Sequence, residues 1–62
     1  MFEEYDVVIS KTDLNPKVSK NTKGTVLIVF GKNVYEIEFF DGEEKSLGTF
    51  TVKGENLSSV SK

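Results

Sequence analysis

Gly24-Thr25-Val26-Leu27-Ile28-Val29-Phe30-Gly31-Lys32-Asn33-Val34-Tyr35-Glu36-Ile37-Glu38-Phe39-Phe40 sets two apolar runs on either side of a three-residue turn. In the first run Val26, Ile28 and Phe30 share one face. In the second, Tyr35, Ile37 and Phe39 face one way, while Val34, Glu36, Glu38 and Phe40 face the other. A period of two in β-branched and aromatic residues is that of a strand with one buried face. Gly31 and Asn33 tolerate positive φ, so the spacing predicts a β-hairpin.

The pattern extends outward from this hairpin. Asp41-Gly42-Glu43-Glu44 reads as a second turn, because Asp-Gly is a strong hairpin signal. Ser46 to Lys53 reads as the next strand. Phe50 and Val52 share a face there and Leu47 is out of phase; a bulge at Gly48 would return Leu47 to the core. Gly54 to Leu57 reads as one turn of 3-10 helix, and residues 58–61 as a last short strand.

Upstream, Tyr5, Val7 and Ile9 alternate with Asp6, Val8 and Ser10 and predict a first strand. Residues 11–23 lose the pattern and hold the sole proline, which disfavours a helix. They form a long loop with Leu14 and Val18 as anchors. The expected core is Val7, Ile9, Val26, Ile28, Tyr35, Ile37, Phe39, Phe50, Val52 and Leu57. Five short strands in this order predict an all-β fold: a small five-stranded antiparallel SH3-like barrel, with a short 3-10 turn before the last strand. Residues 1–62 are expected to form this one domain. Closure protects strand edges that a lone sheet of this size would expose. An OB-fold ranks second, since it needs more residues and a helix.

The order and spacing of several short motifs resemble the DUF4926 family, a bacterial domain of unknown function. Tyr5-Asp6-Val7-Val8 resembles its "DVV" strand, and Asp13-Leu14-Asn15-Pro16 its "DLP" with one residue inserted. Lys20 with Gly24-Thr25-Val26 resembles "KGxxGTV", and Val34 to Phe39 resembles "AYEVEF". Phe50-Thr51-Val52 is similar to "LTL", and Leu57 with Val60 to "QLxxV". Asn21 stands where the family has glycine, and asparagine also visits positive φ. Gly48 stands where alanine is common. The resemblance implies a small barrel of the kind that serves as a binding module, with no catalytic residues to carry over. It also implies neighbourhood with bacterial toxin-type proteins.

The 62 residues contain no cysteine, no histidine and no arginine; ten acidic residues and eight lysines give a formal charge of −2. Disulfides and thiolate metal sites are thereby excluded, and the commonest general base is missing. Glu36 and Glu38 are a candidate carboxylate pair, but acid–base work needs a pocket that separates their pKa values. On one strand face they read better as solvated surface. Asp41, Glu43 and Glu44 lack the spacing of a calcium loop, and Gly24-Thr25 lacks the helix of a phosphate loop. Tyr5, Tyr35, Phe39 and Phe40 are the candidates for a Tudor-type aromatic cage, but alternation sends all except Phe40 to the core. No enzyme, metal or cofactor is expected.

Charge is unevenly placed. Residues 11–23 hold four lysines and one aspartate, a net of +3; residues 34–45 hold five carboxylates and Lys45, a net of −4. Two readings stand: ordinary solvated surface, or two electrostatically distinct ends of which the acidic one attracts a basic partner. The expected function is protein binding through the acidic hairpin: Glu36, Glu38, Phe40, Asp41, Glu43 and Glu44. The partner would be another protein with a basic surface, and one form of this is an immunity-type protein bound to a basic toxin. A nucleic-acid-binding KOW or Tudor-like barrel is the first alternative; it is disfavoured by the negative charge and the missing arginine. A structural or oligomerising subunit is the second. The chain is expected to be a monomer or weak homodimer. An acidic start with no apolar run, and no stretch long enough to span a membrane, predict no signal peptide and no membrane contact; the absence of cysteine, where small secreted domains lean on disulfides, predicts a cytoplasmic protein.

Overall fold

The computed structural model describes residues 2–60. Five strands form one antiparallel sheet: β1 (Val7–Ser10), β2 (Lys23–Gly31), β3 (Val34–Phe40), β4 (Ser46–Lys53) and β5 (Leu57–Ser59). A 3-10 turn, Gly54–Asn56, precedes β5. The sheet order is β4-β3-β2-β1-β5. Val52 of β4 and Leu57 of β5 join the same buried cluster as Val8, Val18, Val26, Tyr35, Ile37 and Phe39. The two outer strands therefore share one core, so the sheet is curled round it. The all-β, five-stranded antiparallel fold with its 3-10 turn is the one expected. Of the predicted last strand, Ser58 and Ser59 lie in β5, and Ser61 falls outside the described residues.

β3 follows its sequence pattern throughout. Tyr35, Ile37 and Phe39 are fully buried, with Val34, Glu36, Glu38 and Phe40 half-buried on the other face. The Tyr35 hydroxyl is satisfied at the end of the core: it accepts from the Phe2 N–H and donates to Asn33 Oδ1, both at 3.2 Å. The Phe2 ring meets Tyr35 edge-on at 5.5 Å, a favoured aromatic geometry. The β2–β3 turn has Lys32 and Asn33 at φ 52° and 62° after Gly31 at 91°. Two consecutive positive φ values are the mark of a type I′ hairpin turn.

Three expectations are corrected. β1 is turned over: Val8 and Ser10 point inward, Val7 is 43% exposed and Ile9 only half-buried. Ser10 is tolerated inside because its hydroxyl donates to the Ser19 carbonyl (2.7 Å) and accepts from the Thr22 N–H (2.9 Å). Ile28 is 47% exposed, because the pairing with β3 shifts register between Val26 and Ile28. One extra residue there, Leu27, reverses the faces that follow. Tyr5 is outside the core at 72% exposure. Phe50 is half-buried against the cluster, as are the loop anchor Leu14 and Leu47, while the other anchor, Val18, is fully buried.

Leu47 returns to the core by the expected device. Phe39 pairs with Gly48 and Phe40 with Ser46, so Leu47 is the extra residue of a bulge, and Gly48 adopts φ 115°. The loop before β2 is held by its own polar side chains. Asp13 Oδ1 accepts from the Lys20 N–H at 2.7 Å, and Asn15 Oδ1 accepts from Lys17 and Val18 at 2.8 and 3.0 Å. Asn21 takes positive φ (70°), as its side chain allows.

Two core substitutions test this packing. Ile37→Ala removes a fully buried side chain from the middle of β3 and is expected to cost about 2–5 kcal/mol. Gly24→Ala is expected to destabilise comparably, for a different reason. A methyl there would lie 2.7 Å from Ile37 Cγ2, 2.8 Å from Phe39 Cδ1 and 3.0 Å from the Glu38 carbonyl oxygen, so backbone as well as side chains must move. Denaturant titration of the two variants reads both; parent-like midpoints would contradict the core described.

Candidate functional site

The outward face of the sheet is built in rows by strand register. Val7, Thr25, Glu38 and Thr49 form one row across β1, β2, β3 and β4. Ile9, Lys23, Phe40 and Ser46 form the next. Phe40 is thus set beside Lys23, whose aliphatic stem lies between two apolar neighbours. A further row carries Ile28, Glu36 and Thr51, where the Thr51 hydroxyl donates to Glu36 Oε1 at 2.8 Å.

Three adjoining clefts lie over the part of this face around Lys23, Phe40 and Val7, and Lys23 lines all of them. The first, about 490 Å³, lies between the long loop and the β3–β4 turn. Lys17, Lys20 and Lys23 form one side of it; Phe40, Asp41 and Glu44 form the other. The second, about 220 Å³, has Val7, Thr25, Phe40 and Glu44 around Lys23. The third, about 560 Å³, runs from Lys23 and Val7 to Tyr5, Asp6, Ser59 and Val60.

The basic and acidic segments are therefore neighbours, not separate ends of the molecule. The cause is register: Lys23 pairs with Phe40, so the end of the lysine loop must meet the start of the acidic turn. Of the six residues expected to bind, Phe40, Asp41 and Glu44 come together in the groove. Glu38 is one row away beside Thr25, and Glu36 a row further, held by Thr51. Glu43 points off the turn, where its carboxylate is 3.9 Å from Lys45 Nζ. Both side chains are largely exposed, so this pair contributes little.

Asp41 has a structural task as well. Its Oδ1 accepts from the Glu43 N–H (2.8 Å) and the Lys45 N–H (3.0 Å), closing the turn. The residue at positive φ in this turn is Glu44, at 65°. Tyr5 also adopts that conformation, at φ 71°. Its N–H donates to the Val26 carbonyl at 2.7 Å, while Asp6 Oδ2 caps the turn by accepting from the Glu3 N–H at 2.8 Å. Left-handed geometry costs a bulky residue about 1–2 kcal/mol. Tyr5 and Val7 were missed as surface residues, because the alternation Tyr5-Val7-Ile9 fits either face when Val8 lies between them.

Among the described residues no three carboxylates are grouped so as to hold a metal ion, and no helix is long and apolar enough to cross a membrane. Fold and surface together define a small antiparallel β domain with a charged, aromatic-floored groove on its outer face. A family model described as "Domain of unknown function (DUF4926)" matches residues 4–59. The chain belongs to that family. A search of curated proteins and a search of solved structures each found no match.

The strained turn offers a direct check. Glu44→Gly is expected to raise stability by about 1 kcal/mol, because glycine adopts φ 65° freely. Thermal denaturation measures it; an unchanged or lower midpoint would mean that Glu44 makes compensating contacts in the folded state.

Proposed function

We propose that this protein is a non-enzymatic protein-binding module whose partner lies across the outward groove of β1, β2 and β3. The observation that carries the reading is the placement of Phe40. It is half-buried, sits at the meeting of two clefts, and has Lys23, Asp41 and Glu44 around it. An aromatic anchor within a polar rim is the usual anatomy of a protein interface. Tyr5 and Val7 extend the apolar floor towards β5.

The charge arrangement refines the partner. Glu36, Glu38, Asp41, Glu43 and Glu44 favour a basic surface over the hairpin, and Lys17 and Lys20 across the cleft oppose one. A partner that fits both is bipolar: basic groups over the β3–β4 turn, with acidic or neutral groups over the lysine loop. An immunity-type protein that covers the basic site of a toxin is the concrete form of this proposal. It rests on the acidic hairpin and on the toxin neighbourhood that the family resemblance implies. Nucleic acid remains disfavoured. Three lysines do line a cleft with an aromatic floor, but Asp41 and Glu44 share that cleft and repel a phosphate backbone.

Binding kinetics separate charge from anchor. Reversing Glu36 and Glu38 to lysine is expected to slow association and remove most of its salt dependence, while Phe40→Ala mainly speeds dissociation. All three residues lie on the outward face of β3, so both variants should keep their fold. The partner is sought by pull-down among the proteins encoded beside this one, and the variants are compared by surface plasmon resonance. Equal binding by all variants would reduce the face to plain solvated surface. Tight RNA or DNA binding at physiological salt, lost on changing Lys17, Lys20 and Lys23, would replace the proposal with the nucleic-acid reading.

A further inference from the structure

β2 is longer than the strand that covers it. β1 pairs only with Lys23, Gly24 and Thr25. The last backbone bonds on that side run from the Tyr5 N–H to the Val26 carbonyl (2.7 Å) and from the Val26 N–H to the Asp6 carbonyl (2.9 Å). From Leu27 to Gly31 this side of β2 meets no strand among the described residues. Three of the five exposed large hydrophobic side chains among the described residues lie on the same stretch: Ile28 at 47%, Val29 at 41% and Phe30 at 55%. Natural edges are guarded by charges, prolines or bulges. Leu27–Gly31 carries neither charge nor proline. Register shifts on either side of Ile28 and Val29 bend the strand and keep the free length short.

We propose that this edge pairs with the same edge of a second copy of the chain, antiparallel, about a two-fold axis at Val29. Two features select that occupant. A strand paired with itself in this way is self-complementary; it sets Ile28 of each copy opposite Phe30 of the other and buries no charge. The ends of the edge also match electrostatically. With Val29 opposite Val29, Gly31 of each copy faces Leu27 of the other, and Lys32, the first residue of the β2–β3 turn, lies just beyond it, next to Val26, where the Glu3–Asp6 turn closes the edge. That turn carries Glu3, Glu4 and Asp6, so each Lys32 approaches three carboxylates. The contact falls well short of the ~800 Å² per partner of a stable interface, so the dimer is weak and concentration-dependent. Phe40 and the lysine loop lie at the other end of β2 and stay free.

Sedimentation velocity over a dilution series, with amide NMR spectra of the same samples, tests the pairing. The mean sedimentation coefficient is expected to rise with concentration, and the amide resonances of Leu27–Gly31 to shift with it while those near Phe40 stay fixed. Ile28→Lys combined with Phe30→Lys abolishes both effects in a protein whose circular dichroism is unchanged. Should that double variant unfold, Lys32→Glu is the second probe. It weakens association several-fold, and adding Glu4→Lys restores it. A parent that stays monomeric at millimolar concentration overturns the proposal. So does a dimer whose shifts map to Val7 and Phe40, or one indifferent to Lys32→Glu.

Discussion

The Phe39 ring needs floor space, and the sheet is arranged to give it. One inward row runs Val8, Gly24, Phe39, Gly48 across β1 to β4. Phe39 has a glycine on each side, so its ring lies against the sheet instead of standing between two side chains. At Gly24 an added methyl would sit 2.8 Å from the ring. At Gly48 the free space is taken by Phe50, whose ring centre is 6.2 Å from that of Phe39. Much of the rest follows from this row. It brings β1 close to β2, fixes the register that places Lys23 beside Phe40, and calls for the bulge that returns Leu47 to the core.

β3 was legible because its alternation is unbroken and its outward residues are polar or large, so only one phase buries a continuous apolar face. β1 was not. Val7, Val8 and Ile9 are apolar in succession, and alternation sets Tyr5, Val7 and Ile9 against a face that holds both Asp6 and Ser10. In the folded chain Ser10 is the inward residue, since the loop backbone satisfies its hydroxyl. Hydrogen bonding from a segment that follows in sequence outweighs the local pattern, and no count of apolar residues in β1 reveals it. Ile28 was misplaced for another reason. A bulge at Leu27 leaves no compositional mark, unlike the one at Leu47, where Gly48 gives the signal.

The candidate surface was legible in its residues but not in its geometry. Alternation alone placed Glu36, Glu38 and Phe40 outward. Composition alone read the lysine loop and the acidic turn as distant poles. Their contact depends on one pairing, Lys23 with Phe40, which is a fact of long-range register. The juxtaposition changes the electrostatic argument. Opposite charges across a cleft shorten each other's reach into solvent, so steering of a distant partner is weaker than a net of −4 suggests, while orientation at contact is more demanding.

Tyr5 links the two surfaces of the molecule. Had the chain run straight through Tyr5, β1 would have continued along β2 and covered Leu27 to Gly31. Instead Tyr5 adopts φ 71°, and Asp6 caps the turn that carries the chain off the edge. The strained residue therefore does two things at once. It leaves Leu27 to Gly31 of β2 without a strand on the β1 side, and it swings its own ring outward to line the groove beside Val7 and Val60. Strain of this kind persists only when the surroundings over-determine it. Here the Tyr5–Val26 and Val26–Asp6 backbone bonds and the Phe2 contact with Tyr35 supply the determination. A glycine at this position would keep the turn at lower cost but lose the ring, so stability alone does not account for tyrosine there; under the proposed binding role the ring is apolar contact surface.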